Sequence, residues 1–85
     1  MIIKTTKHFD KQYAKLSPKL KQQFNTRLTV FVTDPFSEAF RNHALKGKYL
    51  GYRSIDIGGD VRAIYTTKGE VVIIFGFIGT HSQLY

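Results

Sequence analysis

Eight consecutive residues, Val71-Val72-Ile73-Ile74-Phe75-Gly76-Phe77-Ile78, constrain this chain more than any other feature. They carry no charge, and Gly76 is their one member that is not apolar. A run of that length, rich in β-branched and aromatic residues, reads as a strand buried on both faces and central in its sheet. The residues that follow it, Gly79-Thr80-His81-Ser82-Gln83-Leu84-Tyr85, are mostly polar. A central strand is the most rigid place in a small domain. His81 is therefore expected at a fixed position, with the aromatic Tyr85 four residues on.

The rest of the chain is expected to build a sheet around this strand. Ile2-Ile3 begins a short strand. Phe9, Tyr13 and Leu16 recur at helical spacing between Lys7, Lys11 and Lys15. Ser17-Pro18 then restarts a helix, with Ser as N-cap and Pro at the first helical position. Leu20, Phe24, Leu28 and Phe31 form its apolar stripe. Asp34-Pro35 stops it, because the residue before Pro is pushed out of the α region. The stretch from Phe36 to Leu45 is a connection with one turn of helix after Ser37. From Tyr49 the period changes. Leu50–Ile57 reads as a strand, Gly58-Gly59 as a two-residue turn, and Asp60–Thr66 as the returning strand. Lys68-Gly69 turns into the apolar run. The predicted fold class is α+β. A small antiparallel β-sheet, with an N-terminal helical hairpin packed on it, follows the order β-α-α-β-β-β. Eighty-five residues make one small domain, 1–85.

Composition narrows the function. The chain has no cysteine, which removes disulfides and thiolate metal sites. No apolar run approaches the ~20 residues of a membrane span. No signal-peptide core follows Met1, so a cytoplasmic protein is expected. The net charge is +7, and six Lys stand against one acid, Asp10, between Lys4 and Lys21. Such a field favours a polyanionic partner. A solvated helical face explains the Lys4–Lys21 run equally well.

The second half holds the residues that suggest chemistry. These are His43, Arg53, Asp56, Asp60, Arg62 and His81. In an antiparallel meander, residues from three strands meet over one face. Two imidazoles, a carboxylate and an arginine suit RNA phosphodiester cleavage. One imidazole removes the 2′-hydroxyl proton and the other protonates the leaving 5′-oxygen. The arginine stabilises charge on the phosphorus oxygens. No metal-ligand set is evident and no cofactor is implied, with His8 apart on the basic helix. A histidine at a strand end is more often structural, and Asp60 after two glycines is a common turn residue. Composition and spacing alone favour a basic nucleic-acid-binding domain over an enzyme.

Four motifs in order change that balance. His43-Ala44-Leu45-Lys46-Gly47, Gly51-Tyr52-Arg53-Ser54-Ile55, Asp60-Val61-Arg62-Ala63-Ile64-Tyr65 and Gly79-Thr80-His81-Ser82-Gln83-Leu84-Tyr85 resemble the toxins of bacterial type II toxin–antitoxin pairs. The superfamily is RelE/ParE, and the closing motif is most similar to its YafQ-type branch. The resemblance implies the RelE-like fold and cleavage of mRNA in the ribosomal A site. Its implied partners are a cognate antitoxin, mRNA and the ribosomal RNA. It also implies roles for individual residues. His43 and His81 are an acid–base pair, and Asp60 orients a histidine or assists as base. Arg62 holds the scissile phosphate, and Tyr85 stacks on a base. Lys46, Lys48 and Arg53 are the candidate RNA-binding cations. Where YafQ-type toxins can carry an acid and a histidine on the first meander strand, this chain has Ser54 and Asp56. Asp56 would repel a phosphate unless Arg53 or a lysine offsets it. Two other readings belong to the same resemblance. One is a ParE-like inhibitor of DNA gyrase; the other is an RNA- or ribosome-binding module with decayed catalysis.

Overall fold

Both predicted helices begin where their caps place them. In the computed structural model, which describes residues 1–85, Thr6 Oγ1 accepts the Phe9 N–H at 3.0 Å. That cap opens α1 (Lys7–Ala14). Ser17 Oγ accepts the Leu20 N–H at 3.2 Å and opens α2 (Pro18–Phe31), with Pro18 at its first position. The apolar stripe outlasts α1, so Leu16 reaches the core from the link between the helices. α2 ends at Phe31, four residues before Pro35, at a turn where the Val32 N–H still bonds the Leu28 carbonyl at 3.1 Å.

Five strands form one sheet. They are β1 (Ile2–Thr5), β2 (His43–Ala44), β3 (Arg53–Gly58), β4 (Val61–Lys68) and β5 (Val72–Thr80), in the order β1-β5-β4-β3-β2. The apolar run lies between two neighbours, as its composition predicts. Its partner β1 runs parallel to it, with Ile2 opposite Val72, while all other pairs are antiparallel. β2 has only two residues, too few for a sequence signal. β3 starts three residues later than expected. A 3-10 turn over Gly47–Tyr49 and a left-handed Gly51 (φ 92°) occupy the approach. The β3–β4 turn is Gly59-Asp60 rather than Gly58-Gly59. Gly58 pairs with Val61, the register slips between Asp56 and Gly58, and Gly59 takes φ 54°. Asp60 thus sits in the turn and not on the strand.

The two faces of the sheet differ. On one, Phe9, Phe24 and Phe31 of the helices meet Ile55, Ile57, Tyr65 and Phe75. The rings of Phe24 and Phe75 pack edge to face at 5.5 Å, and those of Phe31 and Tyr65 at 5.1 Å. Each such burial is worth about 1.5–3 kcal/mol. Phe75 and Ile78 both point here although they are three positions apart, an odd step that would otherwise put them on opposite faces. The ladder opposite shifts between Ile64 and Tyr65, where Gly76 is the extra residue. On the other face β5 is only half-covered at Ile74 and Phe77. A smaller cluster of Tyr49, Ile64 and Leu84 forms there. It includes a helix too short to read from sequence, α3 (His81–Leu84). Thr80 and Gln83 cap α3 reciprocally, and Tyr49 Oη donates to the Leu84 carbonyl at 2.7 Å. No helix is long and apolar enough to cross a membrane.

Candidate active site

Directly opposed residues of adjacent strands share a face. On the face away from α1 and α2, His43 stands opposite Ser54, and Ser54 opposite Ile64. The next row holds Asp56 opposite Arg62, and Arg62 opposite Gly79. His81 follows two residues after Gly79, and its N–H bonds the Asp60 carbonyl at 3.1 Å. The two histidines therefore enter from β2 and from the end of β5. At ~4.8 Å per strand, the three strand spacings alone put ~14 Å between their backbones across the sheet; the two are offset further along the strands, with the row of Asp56 and Arg62 between them.

Asp56 is the hub of this face. It is only 9% exposed. Its Oδ1 accepts from Arg62 Nε at 2.8 Å, and its Oδ2 from Arg41 Nε at 3.0 Å. A buried carboxylate needs such partners, because an unpaired charge there costs several kcal/mol. The cations that offset Asp56 are thus Arg62 and Arg41, not Arg53 or a lysine. Arg53 Nε instead donates to Asn42 Oδ1 at 2.7 Å, and its guanidinium lies 5.2 Å from the Phe36 ring centroid. Asn42 in turn donates to Tyr65 Oη at 2.7 Å and to the Pro35 carbonyl at 2.9 Å. Arg53 therefore ties down the loop before β2. That loop ends on Arg41 in a left-handed conformation (φ 45°), which follows a 3-10 turn over Glu38–Phe40.

The histidines differ in their surroundings. His43 is exposed, and its Nδ1 lies 2.8 Å from the Arg41 carbonyl. A carbonyl only accepts, so Nδ1 carries the proton in this contact and the lone pair of the neutral ring is on Nε2. His81 is also exposed, and its ring lies 4.6 Å from that of Tyr85 at 39°. Tyr85 meets Tyr49 edge-on at 5.7 Å. Tyr49 contacts Phe77 at 5.2 Å, and Phe77 contacts His8 at 5.1 Å. His8, apart in the sequence, thus borders this same face at its far side. Lys46 and Lys48 are exposed, with Lys48 Nζ 5.1 Å from the Tyr49 ring centroid. Asp60 is exposed in its turn, and its carbonyl rather than its carboxylate meets His81.

Three features escaped the sequence. The pairing of Asp56 with Arg62 needs the turn register, and Arg41 needs the loop conformation. Ser54 Oγ is fully buried with no hydrogen-bond partner. No group of three or more His, Cys, Asp or Glu side chains is arranged to hold a metal ion.

A family model described as the bacterial toxin of type II toxin–antitoxin systems, YafQ, matches residues 1–85. A comparison with curated proteins found no match. Solved structures with this fold include YafQ from E. coli strain BL21(DE3). It superposes with a TM-score of 0.80 at 23% identity, covering 98% of this chain and 96% of that one. A copper-bound mutant toxin from Helicobacter pylori gives 0.74 at 27% identity, over 100% and 99% of the two chains. The E. coli DinJ–YafQ toxin–antitoxin complex gives 0.75 at 25%, over 98% and 94%. With the family pattern met from the first residue to the last, this chain belongs to the YafQ toxins of bacterial type II toxin–antitoxin systems.

Proposed function

We propose that this toxin, acting as one RelE-like domain, is a ribosome-dependent endoribonuclease that cleaves mRNA by acid–base catalysis without a metal. The carrying observation is the placement of His43 and His81 on either side of the Asp56–Arg62 row, on the face the helical hairpin leaves uncovered. His43 is the base. Its Nδ1–H is held by the Arg41 carbonyl, so Nε2 accepts the proton of the ribose 2′-hydroxyl. The 2′-oxygen attacks phosphorus and forms a 2′,3′-cyclic phosphate. The bond to the 5′-oxygen breaks, and that oxygen takes a proton from His81. Arg62, its Nε tied to Asp56 and its Nη1 making only long 3.4 Å contacts to the Gly59 and Val61 carbonyls, turns its terminal nitrogens to the phosphorus oxygens. Tyr85, 48% exposed beside His81, stacks on a base, and Lys46 and Lys48 bind flanking phosphates. Asp60, at the N–H end of His81, orients that residue or assists as base.

The partners follow from charge and family. A +7 chain suits an acidic antitoxin segment that orders on binding, and the E. coli relative is solved with DinJ. The working compartment is the cytoplasm, where mRNA and ribosomes are found. Primer extension on mRNA after brief induction in bacteria tests the proposal, with wild type beside His81→Ala. Discrete, translation-dependent cuts that vanish in the folded variant are expected. Growth arrest without cuts would replace this reading with gyrase inhibition or RNA binding alone.

A further inference from the structure

A carboxylate in the middle of an RNA-binding face is out of place by charge, yet Asp56 is buried there. Its neighbours reverse the sign. Arg62 reaches it across the β3–β4 ladder and Arg41 from the loop before β2, both through Nε. With Nε engaged, each guanidinium carries two further Nη groups as donors. Arg62 Nη1 makes only long contacts, 3.4 Å each, to the carbonyls of Gly59 and Val61. The Arg41 side chain is 79% exposed. Two guanidiniums and one carboxylate sum to a single positive charge, the complement of one phosphodiester.

We infer that Arg41, Asp56 and Arg62 form a phosphate seat. The two arginines grip one RNA phosphate, and Asp56 is the positioning residue that holds them at a fixed separation. The inference rests on the RNA-cleaving reading and adds Arg41 as a second phosphate ligand. An arginine on a surface loop loses rotamer freedom when it grips an anion. One already tied to a buried carboxylate has lost that freedom beforehand, which favours binding. The left-handed backbone of Arg41 points the same way, since a non-glycine residue holds it only where surrounding contacts fix it. The Arg41 carbonyl also orients His43, so the loop that carries the second arginine sets the base as well.

The test uses the full chain and a fluorescent single-stranded RNA with every ribose 2′-O-methylated, so that binding is read without cleavage. Its affinity is measured across a salt series. Arg41→Ala should flatten the log–log salt slope by about 0.7, the loss of one contact to a single strand. It should also weaken binding about tenfold at low salt, as expected for a charge-assisted hydrogen bond. Arg41→Lys should keep the slope yet bind more weakly, because the fork is lost. Asp56→Asn should weaken binding although it makes the protein more positive, and Asp56→Glu should recover part of the loss. Tighter binding by Asp56→Asn would show that Asp56 merely repels RNA and would overturn its positioning role. An unchanged slope in Arg41→Ala, or full affinity in Arg41→Lys, would overturn the seat even if the Asp56 variants fail to fold. Wild type that binds neither this RNA nor ribosomes programmed with a 2′-O-methylated message would instead overturn the RNA-cleaving reading on which the seat depends.

Discussion

The two faces of one sheet are built by opposite rules. Under the helices, aromatic rings and branched aliphatic residues from three layers of sequence meet with no charge among them. On the other face, drawn from the same strands and from the loop and short helix beside them, lie a buried carboxylate, two arginines, two exposed histidines and an unpaired serine hydroxyl. A small domain of this kind has only about 5–15 kcal/mol of net stability. The division shows how that margin is kept. One face carries the burial, which leaves the other to hold polar groups that burial alone would exclude. Phe75 and Phe77 are two residues apart, yet one is in the main core and the other in the smaller cluster beside α3.

The contrast is broken most severely by truncating the first face. Phe31→Ala, at a fully buried ring that meets Phe40, Tyr65 and Phe75, should cost about 3–5 kcal/mol in urea unfolding. Loss below 1.5 kcal/mol would mean that the helices do not carry the fold. On the second face, His81→Ala should leave the unfolding curve nearly in place and slow RNA cleavage about 10²–10⁴-fold. A substrate with sulfur in place of the 5′-bridging oxygen needs no proton on its leaving group. It should restore cleavage by His81→Ala and not by His43→Ala. Equal rescue of both variants would remove the assignment of acid and base. A smaller effect is expected at Tyr85→Ala, where RNA binding should weaken by ~1–3 kcal/mol of stacking with little change in thermal stability. The smallest is at Ser54→Ala. Its buried hydroxyl has no partner, so the methyl should be neutral or stabilising by about 1 kcal/mol. Clear destabilisation would reveal a hydrogen bond that the sheet needs there.

Much of the first face was legible in the sequence because it obeys local periodicity. Ser17-Pro18 and the steps from Leu20 to Phe31 state a capped amphipathic helix, and the apolar run states an inner strand. The second face was legible only where its partners are near in sequence. His81 and Tyr85 lie four apart, which on one turn of helix brings their rings together. Arg62 was recognised as a likeness to a family position, but its companion Asp56 looked like an obstacle. Their pairing depends on which residues make the β3–β4 turn, and Gly58-Gly59-Asp60 allows more than one choice. Arg41 is a loop residue whose partner is set by a left-handed backbone, and no periodicity encodes that. α3 has a clear capping box but only four residues, too few for a helical stripe to repeat.

The parallel pairing of β1 with β5 has a consequence for synthesis. Ile2 finds its partner only at Val72, and β5 is also the strand that β4 needs on its inner side. A chain emerging from a ribosome therefore keeps its first strand unpaired, and its aromatic helices uncovered, until β5 has been made. His81 and Tyr85 emerge later still. Shortened translation products that stop before β5 would lack both a closed sheet and half of the proposed acid–base pair. On the RNA-cleaving reading proposed above, such incomplete copies would be inactive for two reasons, an unfinished sheet and a missing histidine, before any antitoxin is bound.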